Sequence, residues 1–301
     1  MSGKSDFRAR LRQHPIVIAP GVYDPLTALI AEKAGFDTLY VTGAGIAYTR
    51  LGRPDIGLVS VSEVIETVTL INDRVESNLL VDADTGYGNA LNVQRTVRML
   101  ERAGADAIQI EDQIFPKRCG HLEDKMLLSP ADMIGKIKAA VDARHSQATL
   151  IVARTDAVAV EGLQAALDRA LRYRDAGADM LFIEAPTAHD QLRQITKAIG
   201  GTVPLMVNIV EGGKTPALPA PELQETGFAL AIFPGGIVRA LARTAVDYYA
   251  SLAAHGGTQP FRDRMFDFAE LNALIGTPDM LAHQKRYAAE AAGAALRKDD
   301  A

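Results

Sequence analysis

Two carboxylates two residues apart, Asp82 and Asp84, close the apolar run NLLVDAD (78–84), and a third, Glu111, closes the run AIQIED (107–112). Residues two apart on a strand project to the same side, so both aspartates face one way. Three carboxylates gathered without a cation repel one another strongly. All-oxygen donors suit a hard divalent ion, and Mg²⁺ is usually held by one or two carboxylates while keeping several waters. The pattern therefore predicts a Mg²⁺ site, open to Mn²⁺, at Asp82, Asp84 and Glu111. The competing reading pairs these acids with Arg154 or Lys117 and needs no metal. Zinc fits poorly, because one cysteine and no pair of histidines accompany them.

A second cluster follows that run, in QIFPKRCGHLEDKMLLSP, about eighteen residues that are long for a strand-to-helix connection. Long loops of this kind serve as lids or catalytic loops. This one carries the chain's single cysteine, within Lys117-Arg118-Cys119-Gly120-His121. A lone cysteine is most often an inert buried residue. Two cations and an imidazole on its flanks favour the thiolate, which predicts a reactive sulfur. Gly120 allows a tight turn beside it. His121 is the one histidine of six inside a candidate site; His14, His145, His189, His255 and His283 lie in helical or linking segments.

The elements that position these groups are short aliphatic runs alternating with helical patterns. The runs are 16–22, 38–43, 78–84, 107–112, 149–155, 180–185, 205–210 and 229–234. They lack polar alternation until their ends, as strands buried on both faces of a parallel sheet do. Gly35, Gly104, Gly177 and Gly227 precede the second, fourth, sixth and eighth runs, where a helix ends in a left-handed residue. Eight such units predict a (β/α)₈ TIM barrel with a C-terminal helical extension. An open doubly wound sheet is the weaker reading, since no GxGxxG turn follows the first run. In a barrel the run ends converge on one mouth, bringing together Thr42-Gly43-Ala44-Gly45, Asp82, Asp84, Glu111, Arg154-Thr155-Asp156, Glu184, Asn208 and Glu211.

Residues 1–254 are expected to form the barrel with a short N-terminal helix, since Phe7 and Leu11 stand four apart. Residues 255–301 are expected to form a helical tail. Its Phe261, Met265, Phe266, Phe268, Leu271 and Leu274 imply an apolar helix that buries its face on its own barrel or on a neighbour. The 301 residues carry a net charge of −5 with no Lys/Arg block, which argues against nucleic acid or an anionic membrane as partner. No run reaches the roughly 20 apolar residues of a membrane span, and no secretory signal opens the chain. With one cysteine, the expectation is a cytoplasmic protein acting on a small molecule.

Several motifs then fall in one order: TGAG (42–45), LGRPDIG (51–57), VDADTGYG (81–88), IEDQ (110–113), KRCGH (117–121), ARTDA (153–157), FIEA (182–185) and NIVEGGKTP (208–216). Across residues 16–250 the chain resembles the isocitrate lyase and phosphoenolpyruvate mutase superfamily, and KRCGH resembles its lyase branch. The resemblance implies that Asp82, Asp84 and Glu111 hold Mg²⁺, and that Thr42, Gly43, Ala44, Arg154, Glu184, Asn208 and Arg239 bind the substrate, with Gly120 joining them. It implies catalytic roles for Cys119, His121, Arg154 and Asp55. It also implies a homotetramer in which the tail is exchanged between subunits. NIVEGG departs from the NITEFG of methylisocitrate lyases and is closer to the alkylmalate lyases and to proteins often labelled carboxyphosphonoenolpyruvate mutases.

The activity that the resemblance implies is carbon–carbon cleavage of a 2-hydroxy di- or tricarboxylate of 2-methylisocitrate or 2-alkylmalate type, giving an α-keto acid such as pyruvate. Oxaloacetate hydrolysis or decarboxylation is the alternative. A phosphonate mutase is disfavoured, because that branch lacks the cysteine. A non-catalytic dicarboxylate sensor would have no need of a thiol on a long loop. The initial base is either a carboxylate or a metal-bound water.

Overall fold

A computed structural model describes residues 6–122 and 124–299 of the chain. Eight parallel strands close in sequence order into a barrel: β1 (Val17–Val22), β2 (Thr38–Val41), β3 (Asn78–Asp82), β4 (Ala107–Glu111), β5 (Leu150–Thr155), β6 (Met180–Ile183), β7 (Leu205–Asn208) and β8 (Leu230–Phe233). Closure is made by β1 against β8, with Val17 opposite Leu230 and Pro20 opposite Phe233. Every aliphatic run of the sequence supplies one of these strands.

Two apolar layers hold the barrel. Inside it pack Val17, Ala19, Leu80, Val152, Met180, Phe182, Met206 and Ile232, joined by Phe7 and Leu11. The opening helix, Phe7–Arg10, therefore plugs the end where the strands begin. Outside, aliphatic residues of the strands meet those of the surrounding helices in one continuous cluster. Each such side chain gains roughly 1.5–3 kcal/mol by leaving water. Higher in the barrel the interior turns polar: the Tyr40 hydroxyl donates to Gln109 Oε1 at 3.1 Å, and the Gln109 amide donates to Asp82 Oδ1 at 3.2 Å.

Local signals explain the helix ends. Asp24 caps the helix Pro25–Lys33, and Ser60 with Glu63 forms a capping box on Val61–Asn72. The glycines before the even strands, Gly35, Gly104, Gly177 and Gly227, all adopt φ between 97° and 110°, the conformation that ends the preceding helix.

Two expectations change. β3 stops at Asp82, and Asp84 lies past it in a left-handed conformation, φ 46°. The pair does not share a strand face; a turn, pinned by the Asp84 amide donating to Asp82 Oδ1 at 3.1 Å, sets their relation. The apolar stretch 261–274 is not one helix either. A 3₁₀ turn (Gln259–Arg264) and a helix (Phe268–Ile275) divide it, because Asp267 caps the second helix and breaks the run.

Residues up to Ala240 make one compact unit and those from Leu241 onward a second, the boundary falling within the helix Gly236–His255. In the second unit Tyr248 packs edge-on against Phe261 at 5.4 Å, and the last helix is Thr277–Asp299. Among the described residues no helix is long and apolar enough to cross a membrane.

Candidate active site

The strand ends and the long loop after β4 enclose a cavity of about 60 Å³ at the C-terminal mouth of the barrel. Of the residues singled out in the sequence, Thr42, Ala44, Asp55, Asp82, Cys119, Gly120, His121, Arg154, Glu184, Asn208 and Arg239 line it. Gly43 stands against the carboxylates, since a Cβ there would lie 3.3 Å from Asp82 Oδ2 and 3.5 Å from Asp84 Oδ1. Larger clefts of about 540 and 810 Å³ open among the segments that enter the strands, the end of such barrels that serves stability.

The loop runs from Asp112 to Ser129 and is tied at its base, where Ile114 donates to Met126 O and Leu128 to Asp112 O, both at 2.8 Å. Its motif then reaches over the mouth. Lys117 Nζ is buried and bridges Asp55 Oδ1 at 2.5 Å and Asp84 Oδ1 at 2.8 Å. The Cys119 amide donates to Asp55 O at 3.2 Å. Gly120 presses on Arg154 and Glu184 so closely that a Cβ would lie 2.5 Å from Arg154 Nη2 and from Glu184 Cγ. Only glycine fits there.

His121 joins the loop to two other strand ends. Its Nδ1 accepts from the Lys214 amide at 3.1 Å, beyond β7, which places the ring proton on Nε2. Nε2 faces Glu184 Oε1 at 3.4 Å. Burial lowers the His121 pKa, with Glu184 opposing, so the ring is held neutral. Glu184 also accepts from the Asn208 amide at 3.1 Å.

Arg154 is gripped by a neighbouring carboxylate: Nε and Nη2 donate to the two oxygens of Asp156 at 2.9 and 3.0 Å. Nε also lies 3.3 Å from Glu111, and Nη2 3.5 Å from Glu184. Burial opposes the charge, but three carboxylates hold the guanidinium protonated. Arg239 sits at the rim, half exposed, donating to Glu211 Oε2 at 2.8 Å.

Cys119 departs from the thiolate that its flanks predict. Burial pushes its thiol pKa up, and the flanking cations do not reverse this. Lys117 is spent on Asp55 and Asp84, Arg118 reaches Asp124 at 3.3 Å, and His121 is neutral. The thiol is therefore protonated near neutral pH, the state of a proton donor. Alkylation by iodoacetamide, followed by mass spectrometry across pH, is expected to show a midpoint above the ordinary thiol value of about 8.5. A midpoint near 7 would contradict this reading.

The carboxylates combine both sequence readings. Ion pairing to Lys117 and Arg154 is present, and among the described residues no three His, Cys, Asp or Glu side chains stand in metal-holding geometry. Yet the donor set suits a hard cation. Glu111 keeps a buried oxygen, Oε1, without a hydrogen-bond partner. Burial pushes the Asp84 carboxyl up to about 6, with the Asp82 and Asp55 charges adding and Lys117 opposing. Burial likewise raises the Glu111 pKa well above the carboxylate range. Such acids gain most from an added positive charge.

Sequence reasoning missed several members of this site. The sequence offers Lys117 as a counter-ion or as a neighbour of the thiol, but not as the bridge between Asp55 and Asp84. Tyr48, on a π turn (Ala47–Leu51), lines the cavity without any spacing signal. Asp156 was visible as a strand-end polar residue, but its grip on Arg154 was not.

The family model described as phosphoenolpyruvate phosphomutase matches residues 7–253. The chain is 39% identical over 288 residues to a 2,3-dimethylmalate lyase of Eubacterium barkeri, covering 96% of this chain and 99% of that protein. It is 44% identical over 281 residues to a 2-methylisocitrate lyase of Aeropyrum pernix, covering 93% and 89%. The fold is similar to that of an oxaloacetate acetylhydrolase solved with the inhibitor 3,3-difluorooxalacetate, with a TM-score of 0.89, 31% identity and 95% and 97% of the two chains covered. By its barrel, its ordered mouth motifs and these matches, the chain belongs to the phosphoenolpyruvate mutase and isocitrate lyase superfamily.

Proposed function

We propose that the protein cleaves the C2–C3 bond of a 2-hydroxy di- or tricarboxylate, releasing an α-keto acid such as pyruvate and a second carboxylate. The observation that carries this is the buried Cys119 thiol in the same small cavity as Arg154, Asp82 and Glu184, where burial raises its pKa. The two lyases that resemble the chain support it.

Asp82, Asp84 and Glu111 would hold Mg²⁺, which when bound supplies Lewis-acid polarisation of a hydroxyl and its neighbouring carboxylate. Lys117 keeps Asp84 and Asp55 in place. Arg154, fixed by Asp156, offers a charge that does not reorient as negative charge develops on the substrate. As the hydroxyl gives its proton to a carboxylate or a water of the site, C2 becomes a carbonyl and the C2–C3 electron pair passes to C3. That carbanion takes a proton on carbon from Cys119 Sγ. His121, neutral and held by the Lys214 amide, with Nε2 at 3.4 Å from Glu184, fixes the loop above the cavity. Thr42, Gly43, Ala44, Gly120, Glu184, Asn208 and Arg239 would hold the substrate's carboxylates and hydroxyl. The test is turnover of purified protein on 2-methylisocitrate, 2,3-dimethylmalate and oxaloacetate, read by keto-acid formation. Turnover of the first two supports the lyase. Oxalate and acetate from oxaloacetate alone would favour hydrolysis, which the similarity to oxaloacetate acetylhydrolase makes the second reading.

The proposed assembly is a homotetramer, supported by exposed apolar residues of the second unit: Phe266, Phe268, Leu271 and Met280. Light scattering at micromolar protein is expected to give four subunits, and truncation near His255 to reduce that number. A full-length monomer would overturn it.

A further inference from the structure

Five residues beyond Gly120, and outside the cavity lining, stands a buried lysine that the reaction does not use. Lys125 is 7% exposed. Its ammonium donates to Gly120 O at 2.5 Å and to Asp156 Oδ1 at 2.9 Å. Asp156 Oδ1 is the same oxygen that receives Arg154 Nη2, while Oδ2 receives Arg154 Nε. Asp156 is itself clamped from below: its amide donates to Asp112 Oδ1 at 3.0 Å. The other Asp112 oxygen accepts from the Thr155 hydroxyl at 2.7 Å and the Tyr173 hydroxyl at 2.8 Å. The end of β5 is therefore a rigid anchor, and the loop reaches it through Lys125.

We propose that Lys125 is a positioning residue: through Asp156 it locks the Cys119–Gly120–His121 segment in register with Arg154. Charge balance supports a positioning role over a stabilising one. Asp156 already has the Arg154 guanidinium, so removing Lys125 leaves no unpaired carboxylate. Burying an ammonium costs solvation that good geometry only offsets. What Lys125 alone supplies is the link to Gly120 O, the carbonyl next to the thiol residue. Gly120 has no lateral freedom against Arg154 and Glu184. A donor on its carbonyl thus fixes where Cys119 and His121 point. A shift of about 1 Å in such a group can cost about 10²-fold in rate.

The test compares full-length wild type with Lys125→Met, Lys125→Gln and Lys125→Arg. Cys119 is the single cysteine, so iodoacetamide labelling reports its exposure without any substrate. Lys125→Met is expected to label at least about tenfold faster, as a locally opened segment does, with Mn²⁺ affinity and amide exchange in β5 and β6 unchanged. Lys125→Arg, which keeps a donor, should label nearly as slowly as wild type. Equal labelling of wild type and Lys125→Met overturns the proposal, and so does faster labelling accompanied by faster exchange in β5 and β6. Should Lys125→Met not fold, the same comparison with Lys125→Gln decides. A kinetic readout rests on the lyase reading: kcat is expected to fall about 10²-fold with KM little changed. If wild type turns over none of the acids, that reading fails while the labelling still judges Lys125.

Discussion

Replacing Cys119 by serine is expected to leave a folded protein whose turnover falls by about 10²–10⁴-fold, the usual loss for a missing general acid. The substitution is nearly isosteric, and the loop does not depend on the thiol. Its anchors are the Cys119 amide on Asp55 O, Lys117 on Asp55 and Asp84, and His121 on the Lys214 amide. Geometry and substrate affinity should therefore survive, while a hydroxyl of far higher pKa cannot donate its proton to carbon at a useful rate. Burial keeps the native thiol protonated at the pH where the enzyme would work. The checks are steady-state kcat on the best substrate, circular dichroism, and substrate affinity by calorimetry. Near-wild-type turnover would remove Cys119 as the acid and promote a reaction that leaves carbanion protonation to solvent.

Exhaustive chelation with EDTA is expected to reduce turnover by at least about 10³-fold, because Lewis-acid stabilisation contributes several kcal/mol to the barrier. Mg²⁺ or Mn²⁺ should restore it. Asp84→Ala should lose more activity than Asp82→Ala. Asp84 is paired to Lys117, so its removal takes away a donor and also leaves the buried ammonium with Asp55 alone among the two aspartates it bridges. Asp82 is held by the Gln109 amide and the Asp84 amide, and its loss mainly loosens the turn. Metal content by elemental analysis and turnover before and after chelation provide the measurements. Full activity in EDTA would return the carboxylates to a purely ion-paired role.

The amino-acid sequence by itself determined the barrel. Its strands are continuous apolar runs, and its helix ends are glycines at 35, 104, 177 and 227 that only left-handed geometry explains. Both signals are local, so they are written in consecutive residues. Order alone then made the polar run ends converge, which is why Thr42, Asp82, Arg154, Glu184 and Asn208 were legible as one site. Tertiary structure decided who neutralises whom. Lys117 lies two residues from Cys119 yet serves Asp55, 62 positions away, and burial raises the thiol pKa where its flanks suggested a fall. Arg154 turns its fork to Asp156, and Lys125 closes on Asp156 from 31 positions away. A turn past β3 replaced the period-2 geometry expected of Asp82 and Asp84. Protonation state and ion pairing depend on burial and on distances of a few ångströms between segments far apart in the chain, and no local pattern carries those.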